Sequence, residues 1–143
     1  VPQFSAHQEA ALKAVSTWLD AKRKGQSAPP IFRLFGFAGT GKTTLARHLA
    51  ESVSGKVLFA AFTGKAALVM RSKGCHGAST IHSLIYRARE SGEERPNFEL
   101  WDDSPAAQAK LIVIDECSMV DGDLGRDLLS FGVPLLVLGD PAQ

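Results

Sequence analysis

The sequence predicts an α/β fold, a parallel sheet with helices on both faces, and three observations lead there. Short continuous apolar runs alternate with stretches of helical spacing, and the runs end in glycine-rich or acidic loops. The 143 residues, 45% apolar and 22% charged, suit one compact domain. Continuous apolar runs belong to strands buried on both faces, and in such sheets ligands gather at the carboxyl ends of the strands.

The elements follow in order. Ser5-Ala6-His7-Gln8, then Ala11, Leu12, Val15, Trp18 and Leu19 at spacings of three and four, with Gly25 as a stop, predict a helix over 6–24 capped by Ser5. Pro29 and Pro30 break the chain before a strand over 31–35, which runs into a glycine-rich loop and a helix over 42–52. The unit repeats as an apolar run over 56–62, the link Thr63-Gly64 and a helix over 65–72. Residues 79–86 predict a short helix, and 90–104, acidic, polar and interrupted by Pro96, a loop or insertion. Strands over 111–114 and 135–138 flank a helix over 123–130. No solenoid period is present.

Composition excludes several classes. Thirteen Gly and seven Pro are too few for a collagen-like or low-complexity chain. No apolar run approaches the roughly 18 to 20 residues that cross a bilayer, and Val1-Pro2-Gln3-Phe4 does not open a secretory leader, so a soluble, cytoplasmic protein without membrane partners is expected. The chain starts without Met and stops just after an apolar run, as a piece of a longer protein does. Cys75 and Cys117, outside any metal-ligand spacing, read as small apolar fillers in a reducing compartment.

The net charge of +1 hides an asymmetry. Residues 1–90 carry thirteen Lys and Arg against four acids, whereas 91–143 carry three against eleven. Between Glu51 and Glu90 there is no acid at all, while Lys56, Lys65, Arg71, Lys73, Arg87, Arg89, His76 and His82 lie there, a stretch suited to phosphate. A solvated surface gives the same pattern, so motifs decide.

Gly36-Phe37-Ala38-Gly39-Thr40-Gly41-Lys42-Thr43 fits G-x-x-x-x-G-K-[ST] between a predicted strand and helix. Glycines let successive backbone N–H groups converge on phosphates, and the helix N-terminus adds partial positive charge. Lys42 reaches the β- and γ-oxygens, and the Thr43 hydroxyl suits Mg²⁺, which prefers hard oxygen ligands. The candidate nucleotide contacts are Gly36, Gly39, Thr40, Gly41, Lys42, Thr43 and Thr44, and the ligand is a Mg-nucleoside triphosphate. The run 111–114 then delivers Asp115-Glu116: Asp115 fits the Mg²⁺ shell, and Glu116 polarises the attacking water.

Four further segments make the chain resemble the first RecA-like motor domain of a superfamily one DNA helicase, in the RecD-like and Dda-like group. Phe4-Ser5-Ala6-His7-Gln8-Glu9-Ala10-Ala11 resembles the Q motif, which implies that Gln8 bonds adenine, although Gln8 also completes a capping box with Ser5. Phe62-Thr63-Gly64-Lys65-Ala66-Ala67 is similar to motif Ia, implying single-stranded DNA contacts from Thr63, Gly64 and Lys65; an ordinary helix cap would look the same. Ser79-Thr80-Ile81-His82-Ser83-Leu84-Ile85 resembles the Thr-x-His segment, with Thr80 and His82 as DNA contacts. Leu138-Gly139-Asp140-Pro141-Ala142-Gln143 resembles motif III, implying that Gln143 senses the γ-phosphate and Asp140 organises that junction.

The resemblance spans the chain, with 90–104 the poorest match. It implies a single RecA-like P-loop ATPase domain over 1–143, cut after motif III, with ATP and Mg²⁺ as cofactors and single-stranded DNA as partner. It further implies a second RecA-like domain supplying arginines to the γ-phosphate, 5′ to 3′ movement, negligible turnover by the fragment alone, and roles in DNA repair or recombination beside nuclease or repair-complex subunits. The cut would also remove later strands, and in a RecA-like order that would leave the phosphate-loop strand near an open sheet edge, a surface for self-association. A P-loop kinase lacks a reason for Thr63-Gly64-Lys65. An ATP-switched nucleic-acid-binding module without translocation, or the helicase domain of a conjugative relaxase, stays open.

Overall fold

The computed structural model describes residues 6–34, 40–89, 97–115 and 122–139. Five parallel strands form the main sheet: β1 (Ile31–Leu34), β2 (Val57–Ala61), β3 (Ser79–Thr80), β6 (Leu111–Asp115) and β7 (Leu135–Leu138), in the order β1-β7-β6-β2-β3. The helices are α1 (Ala6–Arg23), α2 (Thr40–Ser52), α3 (Gly64–Ser72), α4 (Ile81–Ile85) and α5 (Gly122–Leu129). β1 is an edge strand of this sheet.

The period of two along each strand sorts side chains onto opposite faces. Phe32, Leu34, Phe59, Ala61, Leu111, Val113, Leu136 and Leu138 pack beneath α1, α2 and α3, against Val15, Trp18, Leu45, Leu49, Ala67 and Met70. Leu58, Ala60, Ile112, Ile114, Leu135 and Val137 face the other way, against Ile81, Leu84 and Ile85 of α4 and Leu128 of α5. The central strands β6 and β7 contribute to both cores, which is why their sequences show no alternation. Helices on both faces are therefore present, as the apolar runs predict.

Local chemistry fixes the connections. The Trp18 indole N–H donates to the Pro29 carbonyl at 2.7 Å, and its ring lies 5.5 Å from that of Phe32, pinning the end of α1 to the start of β1. At the far end of α3, Gly74 takes φ +95, a left-handed value that a side chain resists, and the Arg47 side chain packs over it.

Two expectations need correction. Residues 79–86 are not one short helix: β3, α4 and the first residue of a further strand share them. Nor is 90–104 wholly a loop, because β4 (Tyr86–Arg89) and β5 (Asn97–Leu100) pair as an antiparallel two-stranded sheet, with 90–96 outside the described residues. Arg87 Nε meets Glu99 Oε1 at 3.0 Å across the pair, so one cation of the acid-free stretch is neutralised locally. Ser104 is buried; its hydroxyl donates to the Leu84 carbonyl and accepts from Ala106 N–H at 3.1 Å, opening the 3₁₀ turn Pro105–Gln108.

Cys75 is wholly buried, and burial pushes its thiol above the ordinary range, as suits an apolar filler; Cys117 lies outside the described residues. Among the described residues, no helix is long and apolar enough to cross a membrane.

Candidate functional site

All five parallel strands end on one edge, and their register there forms a single row: Leu34, Leu138, Asp115, Ala61, Thr80. Asp115 stands at the centre. With strands about 4.8 Å apart, each end of the row lies roughly 10 Å from it. In the chain, the segments singled out at 36–44, 62–67, 79–85, 115–116 and 138–143 follow or include a residue of this row; the Gln8 segment, on α1, does not.

On one side, β1 enters residues 35–39 and returns as α2, so Thr40, Gly41, Lys42, Thr43 and Thr44 form the first turn of that helix. Gly36 and Gly39 lie outside the described residues, as do the side chains of Thr40 and Lys42. Thr43 is 6% exposed, facing inward, and Thr44 is half-buried. Asp115 shares the face of Leu111 and Val113, the one α2 covers. A hydroxyl and a carboxylate on one face, both oxygen donors and few in number, suit Mg²⁺, which keeps several waters. Gly139 donates its N–H to the Leu34 carbonyl at 2.9 Å, so the end of β7 is held beside the end of β1. Glu116, Asp140 and Gln143 lie outside the described residues. Gln8, in the first turn of α1, is half-buried, and its proposed capping partner Ser5 also lies outside.

On the other side, Thr63 caps α3 in an extended conformation (φ −120, ψ 158), its hydroxyl oxygen accepting from Ala66 N–H at 3.1 Å. Thr63, Gly64 and Lys65 are all exposed at that helix start. Thr80 caps α4, accepting from Ser83 N–H at 3.1 Å. Its own proton goes to Ser83 Oγ at 2.8 Å, and Ser83 in turn donates to the Thr80 carbonyl at 3.1 Å. His82 is exposed, with its ring 4.7 Å from that of Tyr86. Both threonines are thus helix caps, and what each hydroxyl has left over differs: among the described residues no acceptor meets the Thr63 proton, whereas that of Thr80 is engaged.

Sequence reasoning missed the β4–β5 pair, Ser104 and Tyr86. A period of two in Tyr86-Arg87-Ala88-Arg89 and Asn97-Phe98-Glu99-Leu100 was a usable signal for the pair, and Ser104-Pro105 has the form of a helix start.

Comparison with known proteins agrees with this architecture. The family model described as an AAA domain matches residues 21–143. The ATP-dependent DNA helicase Dda of Enterobacteria phage T4 is 33% identical over 115 residues, covering 76% of this chain and 26% of that protein. The crystal structure of Bacteroides Pif1 bound to ssDNA aligns with TM-score 0.64 at 23% identity, over 98% of this chain and 32% of that one. The Pif1 structure from Bacteroides sp in complex with ADP-AlF4 gives 0.61 at 25% identity, over 93% and 32%. The chain therefore spans about a quarter to a third of these relatives' length. Sheet order, covered faces and relatives coincide: the chain belongs to the AAA domain family, has the RecA-like fold of P-loop NTPases, and is similar to superfamily one helicases.

Proposed function

We propose that this domain, within its full-length protein, binds Mg-ATP on the β1–β7–β6 half of the sheet edge and single-stranded DNA on the β2–β3 half. The parent protein uses ATP hydrolysis to translocate along that strand, 5′ to 3′ by its likeness to the RecD-like and Dda-like group, and to separate duplexes. The observation that supports this most is the shared row, with Asp115 midway between the phosphate-loop strand and Thr80.

Each residue has a role that its chemistry permits. Lys42 and the backbone N–H groups at Gly39, Thr40 and Gly41 neutralise phosphate oxygens, Thr44 extends that turn, and Gln8 holds the adenine edge. Thr43 and Asp115 hold Mg²⁺, which when bound offsets charge on the β- and γ-oxygens. Glu116 takes a proton from the attacking water. Gln143 senses the γ-phosphate, and Asp140 organises that junction. Lys65, the backbone N–H at Gly64 and the Thr63 hydroxyl meet a phosphodiester at a helix N-terminus. A second RecA-like domain supplies the arginine, a contribution of roughly 10³ to 10⁵ in rate in related phosphate chemistry, so residues 1–143 alone turn over negligibly.

The test is single-strand-stimulated ATP hydrolysis and strand separation by the full-length protein. Lys42→Ala abolishes both, while Glu116→Gln still binds ATP and stops turnover. Unwinding that survives Lys42→Ala overturns the proposal, and turnover without unwinding replaces the motor by an ATP-driven switch.

A further inference from the structure

Tyr86 stands where α4 gives way to β4, and three contacts meet on it. Its backbone opens β4 opposite Leu100. Its ring lies 4.7 Å from that of His82, one helical turn earlier, at an interplanar angle of 46°. Its phenolic hydroxyl donates to Asp127 Oδ2 on α5, 41 residues further along the chain. That bond is part-buried and has a carboxylate acceptor, which makes it stronger than a neutral surface bond.

The bond ties α5 to the residue that directly follows α4, and these two helices belong to opposite halves of the edge. α4 starts directly after Thr80, at the end of the row, and carries His82. α5 starts at Gly122, and only residues 116–121, Glu116 among them, separate it from Asp115 at the row's centre. Between the helices, Leu84 and Ile85 pack in one core with Leu124, Leu128 and Leu129, an apolar contact that resists sliding weakly. A directional hydrogen bond fixes what such a contact leaves loose. Helix displacements of 1–2 Å are an ordinary way to carry a signal across a packed interface.

We propose that the Tyr86–Asp127 bond is a positioning contact that makes hydrolysis on the nucleotide half respond to a DNA strand on the other half. The inference rests on the function proposed above. A strand engaging His82 acts on the phenol packed against it; the phenolic hydroxyl passes the displacement to α5; and α5 follows β6 in the chain after the residues that include Glu116. Neither Tyr86 nor Asp127 touches nucleotide or DNA in this scheme.

The experiment uses the full-length protein and three readouts: basal ATP turnover, the stimulation ratio with single-stranded DNA, and affinity for a fluorescent oligothymidylate. Tyr86→Phe removes one hydroxyl and keeps the ring on His82; Asp127→Ala removes the acceptor at a helical position that Ala suits. Each is expected to leave basal turnover and oligothymidylate affinity within about twofold and to lower the stimulation ratio at least about fivefold, the lower end of couplings between sites. The double variant loses no more than either single one, because both delete the same bond. A stimulation ratio within about twofold of the parent in Tyr86→Phe at unchanged melting temperature, or losses that multiply in the double variant, overturn the proposal. A parent whose turnover ignores single-stranded DNA overturns both this link and the function on which it rests; failure in the variants of a stimulated parent overturns the link alone.

Discussion

The two halves of the carboxyl edge are stiffened by different means. On the nucleotide side, β1, β7 and β6 are tied by continuous parallel ladders, and β7 and β6 are buried on both faces, so their ends are fixed by the sheet. On the other side, β2 ends beside a β3 of only two residues, and the chain passes quickly into helices, each opened by a threonine cap. Position there is set by hydroxyls. A capping hydroxyl that accepts from a backbone N–H keeps one proton to give, and the difference between Thr63 and Thr80 is where that proton goes.

The sharpest way to break this comparison is Asp115→Asn, at the meeting point of the halves. Losing the charge at a metal-holding position should lower the parent protein's ATP turnover by roughly 10² to 10³, while binding of oligothymidylate without nucleotide stays within about twofold. An equal loss in both assays would mean that the halves are not separable. Next comes the pair of caps. Thr63→Ala removes a donor that no acceptor among the described residues engages, and oligothymidylate should bind about tenfold more weakly, with Thr63→Ser close to the parent. Each alanine substitution removes a helix cap and should lower the unfolding free energy by about 1 kcal/mol, read by denaturant titration, but Thr80→Ala should change binding by less than about twofold. The reverse ranking would show that the engaged proton of Thr80 is given up to DNA.

Much of this was legible in residues whose chemistry is local. The apolar run 111–114 could only be a buried strand, and it extends one residue further, to Asp115, because β2 and β7 both pair with that position. Thr63 was readable as a cap, and the structure makes it one. Among the described residues the phosphate-loop strand is an edge strand of the main sheet. Long-range partners were not legible. Ser104 is buried because Leu84, twenty residues away, offers a carbonyl, and Tyr86 finds Asp127 across 41 residues. No spacing rule encodes either contact. The β4–β5 pair was hidden differently: charged and polar residues alternate with apolar ones along both strands, since a hairpin that exposes Arg87 and Glu99 needs no continuous apolar run to announce it.

The smallest expected effect separates charge from hydrogen bonding on the strand-binding half. Lys65 is exposed beside the cap of α3, and no salt bridge within this domain's described residues engages it. Its ammonium would act on a phosphodiester as a point charge, releasing one condensed counterion. For single strands each such release contributes about 0.7 to the slope of log affinity against log salt. Lys65→Ala should therefore reduce the magnitude of that slope by about 0.7 and weaken binding to all sequences alike, whereas Thr63→Ala, which removes a neutral donor, should leave the slope unchanged. The two variants thus divide one helix start into an electrostatic part, which salt erases, and a directional part, which persists at high salt. If Lys65→Ala leaves the slope intact, the strand does not cross the start of α3, and the β2–β3 half loses its strongest cationic contact.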